Sequence, residues 1–284
     1  MQKAQKEVLY IKEYTAQIKT SKINNTFKLF LNLNKFMMST LAIIPARYAS
    51  TRFPGKPLVD IKGKSMIQRV YEQTTKAKRI HDVIIATDDE RIASHAKGFG
   101  AKVVITRPDH PSGTDRCFEA FELYGKSFDY IINVQGDEPF LDPEQIDSLA
   151  NVCDGNVEIA TQMTKCLSHE SLFDIGEVKI VLNTQKEALY FSRQVIPFIK
   201  GKEQKDWHTT FDYFRHVGMY VYRVDILKKI TQLKLSSLEM AESLEQLRWL
   251  ENGYKISCVE TDFDSHCVDT PEDIEKVLRL MQKD

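Results

Sequence analysis

A cluster of cations between Arg47 and Lys56, and two acidic residues far apart, Asp137 and Asp269, are the residues most suited to chemistry. The apolar run Leu41-Ala42-Ile43-Ile44 reads as a buried strand that breaks at Pro45 into a loop carrying Arg47, Arg52, Gly55 and Lys56. Open α/β sheets bind ligands at the C-terminal ends of their strands. A loop in that position can hold a polyphosphate: glycine lets the backbone come close, and the cations offset the charge. Asp137 closes Val-Gln-Gly-Asp at a second strand end, and Asp269 stands in Val-Asp-Thr-Pro. Hard carboxylates so placed suit Mg²⁺, which keeps several waters and takes phosphate oxygens at its remaining sites. Each feature also has a plainer reading: a solvated basic loop, a surface turn at Asp137, a helix-dipole anion at Asp269. Thr270 is better placed than Asp269 to cap the last helix, because Pro271 takes its first position.

Other residues could recognise a polar ligand. Arg193 closes the apolar stretch Ala188–Ser192, and its fork suits a carboxylate. His216 and Tyr220, with Gly218 between them, face the same way on a strand, which fits core or interface packing as well as a site. Glu245 and Arg248 are three apart on a helix and could simply pair with each other. Ser112-Gly113 opens a helix whose free N–H groups could meet an anion.

The elements that must position these residues alternate between strand and helix, the pattern of a parallel sheet covered by helices. Strands are expected at 41–44, 83–87, 102–106, 130–134 and 255–260, with helices at 65–76, from Asp88-Asp89 to about Gly98, and at 113–124. Asp142-Pro143-Glu144-Gln145 carries the cap, the first-position proline and the third-position glutamine of a helix start. Strand-like segments at 158–164, 178–182, 188–192 and 216–222 follow closely, which predicts antiparallel pairing in an inserted or edge region. Ser236-x-x-Glu239 predicts a helix running to about Glu251 and stopped at Gly253.

The chain has 284 residues, 42% hydrophobic and 28% charged, an ordinary globular composition. With 39 basic and 40 acidic residues, it has no charge excess for nonspecific nucleic-acid binding. Five cysteines without CxxC spacing argue against disulfides and zinc and fit a reducing cytoplasm. No apolar run reaches the ~20 residues that span a bilayer, so no membrane partner is expected. Residues 1–38 contain seven Lys, no Arg and two acids, and resemble neither a signal peptide nor a transit sequence. They read as a disordered or non-native extension, with translation starting at Met37 or Met38 and a single domain over 39–284.

The run IPARYASTRFPGKPL, followed in order by TRPDHPSGTDR, NVQGDEPF, ALYFSR, RHVGMYVYR, LEQLR and VDTPEDIE, resembles the 3-deoxy-manno-octulosonate (KDO) cytidylyltransferases. The resemblance runs from about Leu41 to the C-terminus. It implies a Rossmann-like α/β nucleotidyltransferase fold: a mixed, mostly parallel sheet with helices on both faces and an antiparallel excursion near 158–222 that could serve a homodimer. It further implies transfer of CMP from CTP to KDO with loss of pyrophosphate, for lipopolysaccharide synthesis. By this resemblance Lys56, Arg47, Asp137 and Asp269 are catalytic, and the two aspartates bind Mg²⁺. Ala46, Arg47, Arg52, Lys56, Ser112, Gly113 and Gln135 would bind the nucleotide. Gln135, His216, Tyr220 and Glu245 would bind the sugar. Arg193, from its own place at the end of Ala188–Ser192 rather than from the resemblance, is the expected clamp for the sugar's carboxylate. Asp115 stands where the family usually has Glu. The segment YASTR favours KDO over sialic acid, while KDO and its amino-substituted analogue are not distinguished; a catalytically inactive nucleotide-binding homologue is the remaining alternative.

Overall fold

The chain divides into two units, Met1–Met38 and Ser39–Asp284. The computed structural model describes residues 38–49, 53–263 and 267–280. Apart from Met38, the expected N-terminal extension therefore lies outside the described residues, and so does Arg52.

Apolar runs without polar alternation become the middle of the sheet. Leu41, Ala42, Ile43 and Ile44 are fully buried in β1 (Thr40–Ala46). This strand continues through Pro45 instead of breaking there. Its ladder with β6 (Tyr130–Asn133) stops at Ile43, where the Val134 N–H donates to the Ile43 carbonyl. Two residues on, that edge has no ladder bond for a proline to remove. The pairing of Pro45 with Ala86 and Ala46 with Thr87 in β4 (Asp82–Thr87) then carries on undisturbed.

The remaining strands are β2 (Asp60–Ile61), β3 (Lys64–Ser65), β5 (Lys102–Ile105), β7 (Ile159–Lys165), β8 (Lys179–Leu182), β9 (Ala188–Ser192), β10 (Phe214–Arg223) and β11 (Ile256–Glu260). The α-helices are α1 (Met66–Thr74), α2 (Glu90–Gly98), α3 (Gly113–Tyr124), α4 (Pro143–Asn151), α5 (His169–Phe173), α6 (Trp207–Thr210), α7 (Val224–Ile230), α8 (Ser237–Glu242), α9 (Glu245–Glu251) and α10 (Pro271–Leu280). Starts follow their caps. The Ser65 hydroxyl accepts from the Gln68 N–H, the Asp89 carboxylate from Arg91, and Asp142 and Gln145 form the expected reciprocal box.

The main path of the sheet runs β11-β7-β10-β6-β1-β4-β5, and β8 pairs with both β10 and β9. β5, β4, β1 and β6 are mutually parallel, and β11 is parallel to β7. β10 is antiparallel to both β6 and β7. The expected antiparallel excursion is thus only partly peripheral: β10 lies in the middle of the sheet, and the β8–β9 pair is the part that branches from it. Chain order reverses between β1, which leads to β4 and β5, and β6 on its other flank. Such a switch point opens a crevice above the strand ends.

The helix expected from Ser236 to Glu251 is two helices. Ser243 takes a left-handed φ of 54° and Leu244 is extended. The break lets the Glu242 carboxylate accept from Ser192 Oγ at 2.7 Å and from the Arg193 N–H at 3.0 Å, and it buries Leu244.

Candidate active site

The loop after β1 is closed by its own backbone. The Gly55 N–H donates to the Tyr48 carbonyl at 2.9 Å, and the Arg91 guanidinium caps the Tyr48 ring at 3.3 Å. Gly55 has φ 74°, and a Cβ there would press on the Tyr48 ring at 3.2 Å. A short 3₁₀ turn, Lys56–Leu58, then directs Lys56 into the crevice. From β6 the chain crosses back over β1 at Gly136, where a Cβ would lie 2.7 Å from the Pro45 carbonyl oxygen. Only glycine permits that crossing, and the next residue is Asp137.

Asp269 arrives from the far end of the chain. The Val268 N–H donates to the Asp137 carbonyl at 2.9 Å, joining the two acidic segments directly. Asp273 steadies the turn from below, accepting from the Asp269 N–H at 3.1 Å and from the N–H and hydroxyl of Thr270 at 2.9 and 3.1 Å. The two carboxylates meet on one amine. Lys56 Nζ donates to Asp137 Oδ2 at 2.8 Å and to Asp269 Oδ1 at 3.3 Å. Burial works against the charge on Lys56, but the paired carboxylates, Asp137 foremost, leave its pKa above the ordinary lysine value.

Two cavities meet at this pair. The smaller, about 280 Å³, is lined by Ala46, Arg47, Lys56, Ser112, Gly113 and Arg116 among others. The larger, about 980 Å³, runs past His216, Gly218 and Tyr220 to Glu177 and Arg215. Gln135, Asp137 and Asp269 line both. The Gln135 side chain is anchored by Nε2, which donates to the Gly218 carbonyl at 2.8 Å. That carbonyl is available because the β7–β10 register slips between Val217 and Tyr220. The buried Thr161 hydroxyl serves the same irregularity, lying 3.2 Å from the Val217 carbonyl and 2.8 Å from that of Met219. His216 and Tyr220 stay on the cavity side with ring centroids 5.1 Å apart, and burial pushes the His216 imidazole down to about 3.

Arg47, Ala46, Lys56, Ser112, Gly113 and Gln135 therefore stand together at the smaller cavity, and Gln135, His216 and Tyr220 at the larger. Arg193 and Glu245 line neither. The Arg193 guanidinium is tied to the carbonyls of Glu242 at 3.0 Å and Ile175 at 3.3 Å. Glu245 sits behind the start of α3, accepting from Ser112 Oγ and Thr114 Oγ1, each at 2.9 Å. Burial raises its pKa against the pull of those two hydroxyls. Arg248 reaches Glu245 only at 3.5 Å and is held closely by Glu239, at 2.9 Å.

Several cavity residues escaped the sequence reading. Arg116 is buried beside the smaller cavity and pairs with Asp88 at 3.0 Å; its place at the start of α3 was the available signal. His110 lines the same cavity, with Nε2 held 2.5 Å from Glu119 Oε2. Arg215 lines the larger cavity, but nothing in its spacing set it apart from Arg193. Cys267 lies beside the acidic pair, its thiol within 4.8 Å of both carboxylates. Desolvation and the two neighbouring negative charges raise its pKa. The other four cysteines are buried, and burial pushes Cys153 and Cys258 up to about 12, so neither is a ready nucleophile.

A parallel-dominated sheet with a cationic loop and converging carboxylates at its switch point is a nucleotidyltransferase arrangement, and the comparisons place it within that class. The cytidylyltransferase family model matches residues 41–256, and the chain belongs to this family. It is 55% identical to a 3-deoxy-manno-octulosonate cytidylyltransferase of Cytophaga hutchinsonii, over 84% of this chain and 96% of the relative. A protein of the same name from Parabacteroides distasonis is 52% identical, over 86% and 99%. Among solved structures, a CMP:2-keto-3-deoxy-manno-octonic acid synthetase complexed with CTP superposes with a TM-score of 0.80 at 41% identity, covering 86% of this chain and 99% of that one. A Leptospira borgpetersenii cytidylyltransferase, at 17% identity and a TM-score of 0.57, shares the fold.

Proposed function

We propose that this protein transfers CMP from CTP to the anomeric hydroxyl of KDO, releasing pyrophosphate. The observation that carries the reading is the junction of the two cavities at Gln135, Asp137 and Asp269. The smaller, with its cations and the start of α3, fits a nucleoside triphosphate. The larger, lined mainly by polar groups, has room for an eight-carbon sugar acid. A hydroxyl at the junction can attack the α-phosphate in line while pyrophosphate leaves along the Arg47–Lys56 loop. The protein's task is then positioning and charge stabilisation.

Asp137 and Asp269 fit Mg²⁺ by donor type, since both offer hard oxygen ligands close enough to share one ion. Cys267 does not join them, because a protonated soft thiol is a poor partner for that ion. Bound there, Mg²⁺ would supply Lewis-acid polarisation of phosphoryl oxygen and a lower pKa for the attacking hydroxyl. Lys56 and Arg47 offset the charge that builds on the leaving group. Ser112 and Gly113 present the start of α3 to the nucleotide, and Gln135, fixed by the Gly218 carbonyl, sets the boundary between the substrates. His216 and Tyr220 form an uncharged floor for the sugar. Arg52 joins the cations by its place in the loop sequence.

The direct test is pyrophosphate release from CTP plus KDO, with and without Mg²⁺. No release with KDO, but release with another sugar acid in the same assay, would move the assignment to that acid. A cytoplasmic setting and a place in lipopolysaccharide synthesis belong to the same proposal. Among the described residues no helix is long and apolar enough to cross a membrane. A homodimer is part of it too: Ile175, Leu189 and Phe198 stand exposed in the 158–222 region, where a second copy could cover them. Sedimentation of the purified protein as a monomer would remove that element.

A further inference from the structure

We propose that Lys179 is a positioning residue for the larger cavity: its buried ammonium braces the Asp174–Glu177 turn so that Glu177 holds Arg215 in the cavity wall. This rests on reading the larger cavity as the sugar-acid site. Lys179, at the start of β8, is completely buried, and its ammonium donates to the main-chain carbonyls of Asp174, at 2.7 Å, and Glu177. A buried charge is costly unless well bonded, and an apolar side chain of similar length would fill the space without that cost. What such a side chain could not do is satisfy two inward-facing carbonyls.

The whole turn is arranged around cations. The Ile175 carbonyl, between the two bonded to Lys179, accepts from Arg193 Nη1 at 3.3 Å. Within the turn the Gly176 N–H donates to Asp174 Oδ1 at 2.7 Å, and the Glu177 N–H to the Asp174 carbonyl at 3.2 Å. The opposite side of the same turn is cavity wall, formed by Asp174, Gly176 and Glu177. Glu177 joins the two sides: its carbonyl takes Lys179, and its carboxylate oxygen lies 3.1 Å from Arg215 Nη1. Arg215 and Lys179 are direct cross-strand partners on β10 and β8, and Glu177 bonds to both, through its carboxylate and its carbonyl. The next residue, His216, is fixed to the turn by its N–H, which donates to the Val178 carbonyl at 2.7 Å. Loss of the ammonium would leave the Glu177 carbonyl without its donor and the Asp174 carbonyl with the Glu177 N–H alone, open the turn and release the Glu177–Arg215 wall. Arg193 takes part in this bracing rather than facing the substrate.

The test uses the full-length protein with Lys179→Met, Lys179→Arg and Glu177→Gln. Steady-state pyrophosphate release is measured with KDO varied at saturating CTP, and the reverse. Lys179→Met should raise KM for KDO by about tenfold and leave KM for CTP within about twofold, a split that a simple loss of folded enzyme cannot produce. Lys179→Arg should recover most of the loss, and Glu177→Gln, altering the wall alone, should shift KM for KDO in the same direction. Unchanged KM for KDO in both Lys179→Met and Glu177→Gln, or an equal rise in KM for CTP, would overturn the proposal. Should Lys179→Met not fold, Glu177→Gln decides by the same criterion. Wild-type protein that does not turn KDO over would sink the functional reading; the bracing is then judged by hydrogen exchange. Faster exchange of the Gly176 and Glu177 amides in Lys179→Met upholds the bracing, and unchanged exchange rejects it.

Discussion

Lys56 has two carboxylates on its amine, and that sharing determines what its removal does. In Lys56→Ala the aspartates repel each other across the junction, and the leaving pyrophosphate loses a cation. We expect kcat to fall by about 10²-fold while KM for CTP changes much less, because the charge matters most as the transition state forms. An unchanged kcat in steady-state assays would mean that the lysine serves ground-state binding alone. The pH behaviour of His216 follows from its burial. With its folded pKa near 3, below the usual ~6.5 of an unfolded histidine, it stays neutral throughout the working range. Between those two values the unfolded chain binds the extra proton, so His216 contributes stability above the upper one that is progressively lost as pH falls toward the lower. A ¹⁵N-histidine spectrum should show no titration of this ring between pH 8 and pH 5. Titration near pH 6.5 would show that water reaches the ring freely.

At the scale of elements, Gly136 is the narrowest point of the fold. Gly136→Ala sets a methyl group against the Pro45 carbonyl, backbone against backbone, so the Asp137 segment must move. The expected cost is about 1–3 kcal/mol of stability, as for overpacking in general, with a loss of activity larger than the loss of folded protein. Gly98→Ala, with open space around the added methyl group, is the control and should be near neutral or stabilising. Thermal unfolding and kinetics of the pair would check both. The same scale shows what could be read in advance. α3 was readable at both ends, because Ser112 caps its start and Gly125, at φ 69°, ends it in a left-handed conformation only glycine adopts easily. The Asp137–Asp269 pair was readable because each residue sits where a strand or turn hands over to the next element. The central place of β10 was not, since its neighbours β6 and β7 are chosen by long-range pairing that local pattern does not encode. Nor was the break at Ser243, which exists because Glu242 is needed at Ser192 and Arg193. Arg193 and Arg215 both occur at strand ends; which one reaches the cavity depends on the β8–β10 pairing.

For the molecule as a whole, the question is how much chain the catalyst needs. The Ser39–Asp284 unit contains both cavities and a continuous core from β1 to β11. The two relatives above align over 96% and 99% of their own lengths with 84% and 86% of this chain. We therefore expect a protein beginning at Met38 to keep the unfolding midpoint and kinetic constants of the full chain. The tolerance should end abruptly. The Ser39 N–H and hydroxyl donate to Asp129 Oδ2 at 2.8 and 2.7 Å, and the Thr40 hydroxyl donates to the Arg79 carbonyl at 2.7 Å. These bonds fasten the first turn of chain to the start of β6 and to the segment before β4. A protein beginning at Leu41 loses all three, at up to about 1 kcal/mol each, with water able to replace the donors at the exposed Asp129 carboxylate. Its midpoint should drop by several degrees, while KM for each substrate holds, because the crevice lies at the other end of β1. Equal midpoints for the two truncations would show that β1 is anchored by its core packing alone. A lowered midpoint already in the protein beginning at Met38 would show that the preceding residues contribute to the folded state.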